Sequence, residues 1–145
     1  MNISIKNNQR KQRLTTTSIR KRLSALLTSI GLHGVELSVL FIAEHAMRTL
    51  NRTWRGKDKT TDVLSFSMRE GKFPHIQPEM LGDIVICVPV ASQQASERGH
   101  SLAREIDRLL IHGLVHLLGY DHERGSQEAR RMERKEQQLL KKFSS

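Results

Sequence analysis

The chain has 145 residues and a mass of 16.6 kDa, about the length of one domain, which is expected to span 1–145. With 37% hydrophobic and 27% charged residues the composition excludes extended disorder, and no apolar run approaches the ~20 residues of a membrane-spanning helix. Lys+Arg outnumber Asp+Glu 24 to 15, a net charge of +9 with a pI near 10.3, which makes nucleic acid the first partner to consider.

The excess is local. Residues 1–60 hold 12 Lys+Arg against three acids (Glu36, Glu44, Asp58), whereas 61–145 hold 12 of each. Arg20, Lys21 and Arg22 read either as the polar face of an ordinary helix or as a wall facing phosphates. Membrane attachment is disfavoured because this basic helix lacks aromatic anchors. Met1 to Arg13 has charges without the apolar stretch of a secretory signal, so the expected address is the cytoplasm. The one cysteine, Cys87, has no partner for an internal disulfide. It falls in the apolar run Leu81 to Val90, where a thiol behaves as a small hydrophobe; a catalytic Cys87 is the alternative.

In chain order, Asn2 to Lys6 alternates in polarity like a short strand. Thr17 to Ile30 then places Ile19, Leu23, Leu26, Leu27 and Ile30 on one helical stripe ending at Gly31. Val35 to Ile42 reads as a second strand and Ala43 to Leu50 as a short helix, followed by a polar connection over Asn51 to Thr61. Asp62 to Met68 is a third strand, Arg69 to Met80 a surface loop with Gly71, Pro74 and Pro78, and Leu81 to Val88 a buried fourth strand. Pro89 suits a first helical turn and Gly99 a stop; Ser101 caps a helix to about Leu118, ended by Gly119, and a last amphipathic helix covers Ser126 to Lys142. The expected fold is α+β: a small mixed four-stranded sheet packed with about five helices, the chemistry lying on one helix and the loop after it.

That chemistry is concentrated between His112 and His122, in an H-x-x-x-H-x-x-G-x-x-H pattern. Positions i and i+4 share a helix face, so the imidazoles of His112 and His116 can chelate one ion. A continuous helix would carry His122 elsewhere, but Gly119, without a Cβ, can reverse the chain and return His122 toward the pair. Three neutral imidazoles leave Zn²⁺ one open tetrahedral position, the arrangement of a catalytic site, in which a water ionises near pH ~7. Imidazole also suits nickel, copper and iron, and three unrelated histidines remain the plain alternative.

Metzincin proteases share this spacing but carry glutamate after the first histidine, where this chain has Gly113. Without that general base a peptidase is a minor hypothesis. Phosphodiester cleavage instead needs charge stabilisation on phosphoryl oxygens, which a metal and a guanidinium supply, and the basic connection Asn51 to Lys59 offers guanidinium groups.

Taken together, Asn51 through Arg55 to Asp62-Val63-Leu64-Ser65-Phe66, then Leu81-Gly82-Asp83-Ile84, then His112 to His122, resemble the YbeY family of bacterial ribosomal-RNA maturation endoribonucleases. The resemblance covers most of the chain after residue 50. It implies a metal-dependent, single-strand-specific endoribonuclease acting in small-subunit (16S) rRNA 3′-end maturation and ribosome quality control. RNA and the small ribosomal subunit would be the partners, with no DNA and no membrane. By position, His112, His116 and His122 would hold one Zn²⁺ and Arg55 would be the catalytic arginine. One departure is Thr60, where a proline is common in the family. The rival reading is a non-catalytic, zinc-containing RNA-binding factor of ribosome assembly, in which the metal only ties helix to loop.

Secondary expectations attach to other residues. Trp54 stacks a base or packs under its loop. Asp62, Asp83 and Asp121 orient the ligand histidines or cap the backbone. Glu105 lies two helical turns from His112, too far to share an ion with it. His33, His45, His75 and His100 show no ligand spacing and are expected at the surface or at caps.

Overall fold

The computed structural model describes residues 2–68, 80–121, 123 and 125–144. Their order is β1 (Asn2–Asn8), α1 (Thr16–Ser29), β2 (Glu36–Ile42), α2 (Glu44–Arg55), β3 (Val63–Ser67), β4 (Met80–Cys87), α3 (Val88–Arg98), α4 (Leu102–Leu117) and α5 (Ser126–Ser144). The expected α+β architecture is observed: the strands form one sheet in the order β1-β2-β4-β3, parallel except for the antiparallel pair β3–β4. Of the surface loop expected over Arg69 to Met80, only Met80, which opens β4, lies within the described residues. Among the described residues no helix is long and apolar enough to cross a membrane.

Alternation along the strands divides the core in two. Leu37, Val39 and Phe41 of β2 and Ile84 and Ile86 of β4 join α1, α4 and α5 in the larger cluster. Ile42, Leu64, Val85 and Cys87 meet Met47 of α2 on the opposite face, with Phe66 packed alongside. Among the described residues β3 is an edge strand, and its two faces look at different helices. Its Val63, Ser65 and Ser67 turn toward α4, and its Leu64 and Phe66 toward α2.

Helix α2 runs to Arg55, past the expected end at Leu50. The Asn51 side chain, 3% exposed, donates from its amide to the Lys59 carbonyl at 2.8 Å, folding the following segment back on the helix. Gly56 then ends the helix, its N–H donating to the Arg52 carbonyl at 3.1 Å. The segment expected to be a connection thus begins as helix, and Arg55 stands on its last turn.

The basic helix α1 packs on β1, across the sheet from β3, about 14 Å away over three strand spacings. Two of its cations are engaged internally. Arg20 donates to the Ile3 carbonyl at 3.2 Å, and Arg22 bonds Asp107 at 2.9 Å while lying 4.4 Å over the Phe143 ring. Burial nevertheless raises the Asp107 carboxyl above its ordinary value, outweighing the Arg22 charge.

At the corner between α3 and α4, Glu105 is 0% exposed. Arg108 meets it at 2.6 Å, His100 at 2.6 Å and Arg98 at 3.7 Å, so His100 is a partner of this buried acid rather than a bystander. Burial alone pushes the carboxyl up; the Arg108 and His100 hydrogen bonds, with the Arg108 and Arg98 charges, more than reverse it and hold it below its ordinary value. A folded-state value below the unfolded ~4.3 contributes stability above that value and loses it as pH falls toward the depressed one. Glu105→Gln is expected to destabilise the protein by about 3 kcal/mol at neutral pH, because Arg108 loses its anionic partner. The difference from wild type, measured by urea unfolding, is expected to shrink at about pH 4 and below. An equal difference at both pH values contradicts this assignment.

Candidate active site

Helix α4 starts at an N-cap in which the Ser101 hydroxyl accepts the Arg104 N–H at 3.2 Å, as its sequence position predicts. It seats against the sheet at two glycines. A Cβ on Gly82 of β4 would lie 2.3 Å from the Phe66 carbonyl oxygen and 2.9 Å from Leu117 Cδ2. A Cβ on Gly113 would lie 2.9 Å from Ile84 Cγ2. The helix thus comes close enough for His112 and His116 to stand beside β3. The same closeness explains the missing glutamate of the protease pattern, because a side chain at position 113 has no room against Ile84.

The i, i+4 spacing does what it predicts: the rings of His112 and His116 lie 4.8 Å apart, centroid to centroid, at 79° to one another. His112 is oriented from another helix. Its Nδ1 is 2.6 Å from Oε1 of Glu136 on α5. A carboxylate only accepts, so Nδ1 is the donor in this bond, and in the neutral ring the lone pair is then on Nε2. This is the arrangement in which a second carboxylate fixes a metal-ligating imidazole.

After α4 the chain reverses at Gly119, φ +101°, with Gly119 N–H on the His116 carbonyl at 3.0 Å and Tyr120 N–H on the Val115 carbonyl at 3.3 Å. His122 lies outside the described residues. Its chain neighbours Asp121 and Glu123 both line the same cleft as His112 and His116, and Asp121 Oδ1 accepts the Glu123 N–H at 2.9 Å.

That cleft, about 350 Å³, lies between α4 and the α4-facing side of β3, where Ser65 and Ser67 line it. Arg55 also lines it, from the end of α2. Since α2 covers the opposite face of β3, Arg55 reaches the cleft around the sheet edge. The other arginines of this helix are turned elsewhere: Asp58 binds Arg48 at 2.9 Å and 3.2 Å and Arg52 at 3.6 Å. The Arg48 hydrogen bond holds the Asp58 carboxyl below its ordinary value.

Of the acids expected to orient the histidines, Asp62 lines the cleft with Oδ1 accepting the Val63 N–H at 2.7 Å, and Asp83 pairs in register with Phe66 outside it. The carboxylate on His112 Nδ1 is that of Glu136. The sequence places Glu136 on the buried stripe of α5, between Met132 and Leu139 and in line with Phe143, but only the packing of α5 on α4 shows that it meets His112. Cys87 is buried, and burial pushes its thiol up despite hydrogen bonds that include Thr60, 3.7 Å away. A protonated, enclosed thiol is no nucleophile. His33 and His45 are exposed, as expected, and His75 lies outside the described residues.

Residues 3–144 match the family described as Endoribonuclease YbeY. The chain belongs to the YbeY family. It is 44% identical over 135 residues to Endoribonuclease YbeY of Aquifex aeolicus (strain VF5), covering 93% of this chain and 88% of that one. With Endoribonuclease YbeY of Geobacter metallireducens (strain ATCC 53774 / DSM 7210 / GS-15) it shares 41% over 141 residues, 97% of this chain and 94% of the relative. The solution structure of TM1509 from Thermotoga maritima has a similar fold, with a TM-score of 0.67 at 26% identity over 97% of this chain and 88% of that one. In this YbeY-family cleft, Glu136→Ala is expected to release His112 from its Nδ1–H tautomer. Imidazole ¹⁵N shifts in chelator-treated protein report this; a ring still held in one tautomer contradicts the role given to Glu136.

Proposed function

We propose that this protein, as one domain over 1–145, is a zinc-dependent, single-strand-specific endoribonuclease of the cytoplasm. Its substrate would be the 3′ end of small-subunit (16S) rRNA, in maturation and in ribosome quality control. The observation that carries the reading is the convergence of Arg55 with His112 and His116 in one cleft of a YbeY-family chain. His112 and His116 would hold the ion together with His122, whose two chain neighbours line the cleft. The donor set fits zinc: imidazoles at chelating spacing, one fixed by a carboxylate. When bound, the ion supplies Lewis acidity and lowers the pKa of water.

The chain's own groups do the rest. Arg55, for which no described carboxylate forms a salt bridge, offers its planar guanidinium to phosphoryl oxygens as charge builds on them. Glu136 keeps His112 in the tautomer that leaves Nε2 toward the cleft. A shallower hollow shares Gly119 and Tyr120 with the cleft and is bounded by Arg131, Arg134 and Lys135 of α5, with Glu128 pairing to Arg131 at 3.0 Å. This surface, rather than α1, continues the cleft as a track for phosphates.

His116→Ala is expected to lose both bound zinc and cleavage of single-stranded RNA. Arg55→Ala is expected to keep the zinc and lose about 100-fold or more in rate. Zinc-loaded wild type that binds RNA and leaves it intact contradicts the enzymatic reading. Neutralising Arg131, Arg134 and Lys135 is expected to flatten the dependence of log K on log salt by about 0.7 per lost phosphate contact, and neutralising Arg20, Lys21 and Arg22 to leave it unchanged. The reverse pattern moves the track to α1.

A further inference from the structure

Trp54 is 67% exposed, beside 42% for Met68, the other large apolar side chain in water among the described residues. An indole so placed contributes little to the core, yet its ring has a fixed neighbour: Phe66 meets it edge-on, centroids 6.3 Å apart and planes at 66°. Phe66 is held in β3, opposite Asp83 of β4. Trp54 and Phe66 form one apolar shelf. The shelf lies on the α2 side of the edge strand, and the cleft lies on the other. The next residue after Trp54 is Arg55, which rounds that edge into the cleft.

The surroundings of the shelf select its occupant. Arg55, Lys57 and Lys59, which follow Trp54 in the chain, are exposed, and the one carboxylate among them, Asp58, is turned to Arg48 and Arg52. An apolar protein surface has no counterpart for these cations. A strand carrying both negative charge and unpaired aromatic faces has one for each part.

We propose that Trp54 is a base-stacking platform: the base of the nucleotide next to the one held by Arg55 lies on the indole, so that the strand bends around the β3 edge between shelf and cleft. This rests on the RNA reading above and adds to it the residue that recognises an unpaired strand. In a duplex the base faces are covered by their neighbours and cannot lie on the indole.

Trp54 is the chain's only tryptophan, so its emission reports this ring alone. The experiment titrates chelator-treated protein with a short labelled oligoadenylate, following label anisotropy and indole emission together. Emission is expected to change with the same midpoint as anisotropy. Trp54→Ala is expected to bind the single strand about tenfold more weakly, with Trp54→Phe recovering most of the loss and duplex binding unaffected by either. Anisotropy that rises with unchanged emission, or equal affinity of wild type and Trp54→Ala, overturns the platform and leaves the RNA reading standing. Absence of binding by anisotropy for single strand and duplex alike overturns both.

Discussion

Glu136 reaches from α5 to the ring of His112 on α4 at 2.6 Å, and the geometry of the whole cleft depends on that bond. Helical spacing alone brings two imidazoles to one face but leaves each ring two tautomers and a range of rotations. The carboxylate removes that freedom for His112. It also fastens α5 to α4 beside the cleft, so the arginines and lysine of α5 border the same opening as the histidines. One acid on an otherwise apolar stripe serves both packing and chemistry.

The second constraint is the sheet edge. Among the described residues strand β3 has β4 on one side only, and α4 lies against it because Gly82 and Gly113 allow an approach that a Cβ would prevent. The cleft therefore sits at the rim of the sheet, where a long polymer can pass, rather than in an enclosed cavity. Arg55 arrives there from the helix on the opposite face. That path exists because Asn51 folds the residues after α2 back against the helix instead of letting them run on as an open loop.

Local patterns made much of this legible in the sequence. The His112/His116 spacing, the helix end at Gly119 and the Ser101 cap each depend on residues within one or two helical turns, and each is found as read, while the return of His122 lies outside the described residues. The sheet and its helices followed from hydrophobic period. What stayed hidden depends on residues far apart in the chain. Glu136 is 24 positions from His112, and only tertiary packing joins them. The pairing of Arg22 with Asp107 spans 85 positions, and it turns part of an apparent phosphate-facing triplet into an internal contact. The enclosure of a charged Glu105 was hidden for a different reason: its partners Arg98, His100 and Arg108 are near in the chain, at the end of α3, in the turn and on α4, but its burial depends on the packing of α3 against α4. The polar run after Leu50 misled for a related reason: polarity marks exposure, and an exposed helical turn is as polar as a loop.

The central proposal is that His112, His116 and His122 would hold one ion in the cleft that Arg55 also lines. X-ray absorption at the zinc edge, on protein loaded with one equivalent, tests it most directly. The account predicts three imidazole nitrogens at about 2.0–2.1 Å and a light oxygen donor completing four-coordination, with one imidazole lost in His116→Ala. A spectrum showing four protein donors, or one unchanged in His116→Ala, contradicts it.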